Sequence, residues 1–244
     1  LPSSGNSVHQ ARELHNEPMS LEILFESETL VAINKPHGLL VHKSRIAPDA
    51  TEFALQLLRD QLGQKVHLAH RLDRKTSGVL LFSKNKEVER QLHQLFRERK
   101  MKKKYLAIVR GYTEDHERIN YALQHEGKTK EAITDYETLE RFAIPLPTTR
   151  YSTSRYSYIR LKPETGRFHQ LRKHMAHIRH PILGDRPHGC NKQNKLWKEH
   201  FGLDKMLLHA AELEFELDKI RYVIKAQPNE VFRETLIILR SQKL

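Results

Sequence analysis

The sequence predicts an α+β fold: an extended mixed, mostly antiparallel sheet with a few flanking helices. Three observations carry this. Short runs of alternating apolar residues recur along the chain, which is strand patterning. Only four segments place apolar residues at helical spacing. No tandem repeat and no Gly/Pro-rich linker divides the 244 residues, so residues 19–244 read as a single domain.

Residues 1–18 lack the apolar core of a signal peptide and read as a flexible leader or an expression remnant. LEILFE and LVAIN follow as two strands, with Ser27-Glu28-Thr29 as their turn. KPHG breaks the pattern and LLVHK resumes it. Residues 51–62 predict a helix: Thr51 can cap it, and Phe53, Ala54, Leu57, Leu58 and Leu62 share a face. KVHLAH is a strand leading into a polar loop, and VLLFSK is the strand that leaves it. Asn85 offers a cap for a helix to about Lys100, with Val88, Leu92, Leu95 and Phe96 on one side. KKKYLAIVRGY predicts a strand ended by Gly111. Residues 113–157 look least regular: they carry weak strands in EAITDYETLE and then the Pro/Thr/Ser/Tyr-rich IPLPTTRYSTSRYS, which reads as a surface insertion between strands. YIRLKP is a strand, ETGR a turn, and FHQLRKHMAHIRH a helix stopped by Pro181. MLLHAAELEFEL and IRYVIKAQ form a late hairpin, and Asn229 caps a last helix.

Composition narrows the function. Lys and Arg number 42 against 30 Asp and Glu, a net charge of +12 spread along the chain. Such a surface attracts polyanions, nucleic acid first. No apolar run reaches the roughly 18 residues of a membrane span, so no membrane association is expected. The single cysteine, Cys190, cannot form an internal disulfide. This fits a reducing, cytoplasmic setting and excludes cysteine-based zinc sites.

The loop AHRLDRKTSG, residues 69–78, sets Asp73 among His70, Arg71, Arg74 and Lys75. A carboxylate among cations is a poor general acid; it suits a nucleophile, a metal ligand or an electrostatic stabiliser. Metal ligation is disfavoured, because the loop has no second carboxylate and its cations repel Mg²⁺ or Ca²⁺. The loop also lacks the contiguous order and the companion motifs of a kinase catalytic loop. In PETGRFHQLRKHMAHIRHPILGD, residues 163–185, Arg167 and Arg172 sit near a helix start that favours anions. Arg172 can pair bidentately with a carboxylate such as Asp73. His174, His177 and His180 share this segment, but their neighbours are cationic and no metal is expected there. RERKMKKKYLAIVRG, residues 97–111, sets Lys103 and its neighbours beside Tyr105, an aromatic next to a cationic run, as in base-stacking surfaces. Lys35 lies in the Lys-Pro-His-Gly turn; turn chemistry accounts for it, and an RNA contact is the further reading.

Together these stretches resemble the RluA-type pseudouridine synthases. NKPHGLLVH, HRLDRKTSG, KKYLAIVRG, TGRFHQLRKH, HPILGD and LLHA occur in the family's order across residues 21–215. The resemblance implies the pseudouridine synthase catalytic fold, with a cleft across the middle of the sheet. It implies isomerisation of an RNA uridine with no cofactor and no metal. Asp73 corresponds to the essential aspartate, which could act at ribose C1′, uracil C6 or C2′. Arg172 corresponds to its arginine partner and Tyr105 to the tyrosine that stacks on the uracil. Arg71 corresponds to the arginine that fills the vacated space, and Leu208 to a wall of the base pocket. His70, Lys35, Arg74, Lys103 and Arg167 are the further expected RNA contacts. HMAHIRHPILGDRPHG, EHFGL, MLLHA and an insertion ending in TTRYSTSRYSYIRLKP are similar to the family's tRNA-modifying branch. This implies a T-arm uridine in tRNA as target, acted on by a monomer. Ribosomal RNA as substrate, or a non-catalytic RNA-binding module on this fold, is the alternative.

Overall fold

The computed structural model describes residues 19–42, 53–148 and 150–244. The leader expected over residues 1–18 and the Thr51 cap lie outside the described residues. One large sheet organises the chain. Its strands are β1 (Ile23–Glu26), β2 (Leu30–Lys35), β3 (His67–Leu68), β4 (Ser77–Ser83), β5 (Lys102–Arg110), β6 (His116–Asn120), β9 (Ile133–Ile144), β10 (Ser154–Pro163), β11 (Leu208–Leu217) and β12 (Ile220–Lys225). Two more, β7 (Leu123–His125) and β8 (Lys128–Lys130), form a separate small hairpin. The main order is β1-β2-β4-β11-β5-β10-β9-β6, with β3 beside β4 and β12 beside β11. Only β4 and β11 run parallel among these strands, through Ser77–His209 and Gly78–Ala210.

Side-chain alternation builds a core on each face. On the N-terminal half, Val31, Ile33, Leu80 and Phe82 face helix α1 (Ala54–Leu62), packing on Ala54 and Leu58. Leu30, Ala32, Val79 and Leu81 face α2 (Lys86–Arg97), packing on Val88 and Leu92. Further along, Ala107, Val109, Ile159 and Leu161 cover α3 (Gln170–His177) through Leu171 and Met175. Ile108, Phe142 and Tyr156 meet Trp197 of α4 (Asn191–Phe201) and Phe232, Leu236 and Leu239 of α5 (Glu230–Ser241). Asn85 and Asn229 each accept an N–H bond, from Val88 and Phe232, as N-cap residues. No helix among the described residues is long and apolar enough to cross a membrane.

Several expectations change. Helix α1 starts at Ala54, behind Phe53, whose side chain makes no cap bond. LLVHK forms no strand in its described part; Leu40 makes only an isolated bridge to Phe53. Residues 113–157 are mostly regular. β9 pairs with β10 over most of its length, β6 pairs with β9, and β7 and β8 form a hairpin; within this segment the longest described stretch without strand or helix lies between β9 and β10. The weak strand expected over EAITDYETLE is β9, which runs on to Ile144; its polar Asp135 and Glu137 pair with Arg118 and Arg160. Helix α3 ends before Pro181, closed by Arg179 at φ 65° and by the His180 N–H bond to the Met175 carbonyl.

Candidate active site

The loop from Ala69 to Thr76 leaves β3 and enters β4. The Thr76 N–H closes a turn on the Asp73 carbonyl at 3.0 Å. Lys35, at the end of β2, is fully buried beneath it. Its ammonium donates to the carbonyls of Leu39 at 2.9 Å, Pro36 at 3.0 Å and Arg74 at 3.1 Å. The Gly38 N–H bonds the same Arg74 carbonyl, and Arg74 Nε returns a bond to the Gly38 carbonyl. The Lys-Pro-His-Gly turn and the Asp73 loop are thereby stitched together. Burial lowers the Lys35 pKa to about 7, with the Asp73 charge opposing the fall.

Arg172 reaches this loop from α3. Its Nη1 donates to Asp73 Oδ2 at 3.1 Å. Its Nε and Nη2 bind the two oxygens of Asp185, each at 2.8 Å. The bidentate pairing expected with Asp73 is therefore made with Asp185 instead, and Asp73 takes a single bond. Side-chain exposure is 5% for Arg172, 1% for Asp185 and 26% for Asp73. Two members of the triad are sealed and the third is open. Burial alone would lower the Arg172 pKa; the bonds and charges of Asp185 and Asp73 hold it raised. Both oxygens of Asp185 are occupied, so it is not a free second acid for activating water.

His169 adds a contact that the sequence reading did not assign. It stands at φ 54° where the chain turns into α3. Its Nε2 lies 3.8 Å from Asp73 Oδ2, and its Nδ1 lies 2.9 Å from His188 Nε2. Burial, against the attraction of Asp73, lowers its pKa to about 4, so the ring is neutral near pH 7. Gln170 fastens this turn: its Oε1 accepts from the Arg167 N–H and the Thr165 hydroxyl.

These elements enclose a cleft of about 350 Å³. Asp73, Arg172, Tyr105, Leu208, Arg71, His70, Lys103 and Arg167 all line it. Tyr105 is half-buried on β5, and burial followed by the Asp73 charge raises its phenol pKa, so it stays protonated. Leu208, at the start of β11, is a buried wall. Arg71 is exposed, and Lys103 donates to the Thr165 carbonyl at 3.1 Å.

Three of the expected RNA contacts sit differently from the rest. Lys35 is a buried clamp outside the cleft, because the end of a core strand encloses it. Arg74 is exposed but does not line the cleft; its guanidinium is turned onto Gly38. His70 lines the cleft without a charge. Its Nε2 accepts the Leu81 N–H at 3.1 Å, its ring packs on Phe96, and burial lowers its pKa to about 3. Of the three histidines, His174 and His177 lie on α3: His174 bonds Thr134 and the Tyr121 carbonyl, and His177 stacks on Tyr121, while His180, past its end, sets Nδ1 2.9 Å from the Arg110 carbonyl. Among the described residues no group of three or more His, Cys, Asp or Glu is placed to hold a metal ion.

A single-bonded aspartate, a sealed guanidinium and an aromatic wall in a basic cleft are chemistry suited to a nucleoside drawn out of RNA. The family model of the RNA pseudouridylate synthases matches residues 29–177, and the chain belongs to that family. Two curated relatives, each named tRNA pseudouridine synthase C, are similar over most of the chain. That of Vibrio parahaemolyticus is 47% identical over 210 residues, covering 81% of this chain and 85% of its own. That of Haemophilus influenzae is 46% identical over 207 residues, covering 80% and 87%. Among solved structures, human RNA Pseudouridylate Synthase Domain Containing 4 superposes with a TM-score of 0.66 at 26% identity, covering 90% of this chain and 93% of that one. Human RNA Pseudouridylate Synthase Domain Containing 1 shares the fold, with a TM-score of 0.69 at 23% identity, covering 92% and 96%.

Proposed function

We propose that this chain is a tRNA pseudouridine synthase and that Asp73 is its catalytic carboxylate. The net reaction breaks the uridine N1–C1′ bond, turns the uracil and joins C5 to C1′. The proton leaves C5 and N1 regains one, so no atom is gained or lost. The observation that carries the reading is Asp73: one oxygen is fixed by Arg172, and the side chain opens into the cleft opposite Tyr105 and Leu208. Extruding the base costs a few kcal/mol. Stacking on Tyr105 returns roughly 1–3 kcal/mol, and Arg71, Lys103 and Arg167 supply positive charge for the distorted backbone.

The relatives named for tRNA support tRNA as the substrate. Uridine 65 of the T-arm is the target we expect, with the enzyme acting as a monomer in the cytoplasm.

The test uses purified protein and mapping of pseudouridine in tRNA and ribosomal RNA from cells with and without it. Asp73→Asn is expected to lose at least about a thousandfold in pseudouridine formation while still binding tRNA. Loss of a modification confined to ribosomal RNA would overturn the substrate; undiminished turnover by Asp73→Asn would overturn the catalytic role.

A further inference from the structure

A second groove of about 1090 Å³ lies between residues 147–148 and 150–155 on one side and helix α4 on the other. It shares no lining residue with the Asp73 cleft. We propose that it holds the sugar–phosphate backbone of the same RNA at a stretch distant from the target nucleotide. The proposal rests on the RNA-modifying reading above and extends it to a second contact.

The charge of the groove carries the argument. Arg110, Arg150, Arg155, Lys192 and Lys195 line it, against one carboxylate, Glu199. Among the described residues only Lys195 of the five pairs with an acid, Glu199, at 3.7 Å on the exposed helix surface. Arg110 turns its Nη1 to Cys190 Sγ at 3.6 Å. The other cations are exposed and unneutralised. Gathering them around one concavity raises their mutual repulsion, which a polyanion relieves. Two of the arginines are also pre-aimed. Arg155 lies over the Tyr112 ring at 5.0 Å and Arg150 over the Tyr151 ring at 5.7 Å. Such stacking leaves the planar donor fork free for phosphate oxygens.

The groove is built rather than incidental. Ser154 Oγ donates to the Leu146 carbonyl at 2.7 Å, and the Thr148 N–H to the Tyr151 carbonyl at 2.8 Å. The Gly111 N–H bonds the Arg155 carbonyl at 2.7 Å. Beneath lies buried Tyr156, whose hydroxyl donates to Gln193 and whose ring meets Trp197 edge-on. These bonds tie the described residues at both ends of the loop, Leu146, Thr148, Tyr151, Ser154 and Arg155, to one another and to the end of β5, which lowers the entropy lost on binding.

Its place in the sheet selects the occupant. Tyr105 lines one cleft and Arg110 the other, both on β5. Five steps of strand set their Cα atoms about 17 Å apart. The odd spacing turns the two side chains to opposite faces of the sheet, Tyr105 to the α3 side and Arg110 to the α4 side, so an RNA in both sites must pass around the end of the sheet. An RNA that fills both sites must extend well beyond its target nucleotide. A short stem–loop carrying the uridine would reach only the first.

The experiment replaces three exposed cations together, Arg150→Ala, Arg155→Ala and Lys192→Ala. Binding is measured in an Asp73→Asn background with full-length tRNA and with a short stem–loop containing the target uridine. Turnover is measured in the Asp73 enzyme. The full-length tRNA is expected to bind at least about tenfold more weakly, with the slope of log affinity against log salt reduced by about 2 to 3. Stem–loop affinity and kcat stay unchanged, and KM for the full-length tRNA rises. Unchanged tRNA affinity and slope, or an equal loss on both RNAs, would overturn the proposal. If the unmutated enzyme modifies no tRNA but the triple variant still loses tRNA affinity and salt slope, the functional reading falls and the groove stands.

Discussion

Arg172 spends its donors unequally: two on Asp185 and one on Asp73. Asp185 therefore sets where the guanidinium points, and Asp73 takes what that orientation leaves. Asp185→Asn preserves shape but leaves a buried cation without its main partner. We expect a stability loss of roughly 3 kcal/mol by urea denaturation. We also expect kcat to fall at least about tenfold while KM changes little, because the contact that aims Asp73 has loosened. Loss of stability with full kcat would show that Asp185 acts only as a structural anchor. At this scale the sequence was readable for which residues share one cleft. Asp73, Arg172, Tyr105 and Leu208 come together as their motifs imply. Formal charge misled where burial decides. Lys35 and His70 look like cations in the sequence, yet one is a buried clamp and the other a neutral ring. Asp185 was in view within HPILGD, but nothing local announces that an acid thirteen positions after Arg172 folds back onto it.

Among the elements, those with strong periodicity or a capping asparagine were legible: β1, β2, β4, α2, β5, β10, the β11–β12 hairpin and α5. Helix α4 was not. Its only buried side chains are Gln193 and Trp197, and Cys190 at its N-cap makes no capping bond through its side chain. Gly202, in the left-handed conformation at its end, was the one available stop signal. The joint between β4 and β11 yields a sharp prediction. Gly78 sits at φ 112°, and a Cβ there would come within 2.1 Å of the Ala210 carbonyl oxygen. Backbone cannot yield as a side chain would. Gly78→Ala should cost more than about 3 kcal/mol, read as a large fall in Tm or in soluble yield. Gly127→Ala meets nothing within 4 Å, and its left-handed φ alone should cost roughly 1 kcal/mol. Comparable losses in the two variants would refute the role of that close approach.

Across the whole molecule, buried bases shift the pH response. Burial holds His70 at about 3 and His37 at about 4 in the folded chain, against about 6.5 when unfolded. Between these values the unfolded chain binds more protons, so stability falls as pH falls from about 6.5. His70 alone accounts for up to about 2 kcal/mol between pH 7 and pH 5. Lys35 acts in the same direction at higher pH: its folded pKa of about 7 means that stability rises as pH increases from there toward the ordinary lysine value. Urea midpoints measured from pH 5 to pH 9 should therefore climb, and His70→Phe should flatten the acid limb by about one proton. An unchanged slope would mean that His70 is not kept neutral by the fold. The sheet order has a consequence for how the protein is made. Asp73, Tyr105 and Arg172 are all translated before Leu208, yet β11 is the strand that joins β4 to β5. A nascent chain halted short of that strand holds Asp73, Tyr105 and Arg172 and no assembled crevice, so the cleft forms late in synthesis, with one insertion into the centre of the sheet.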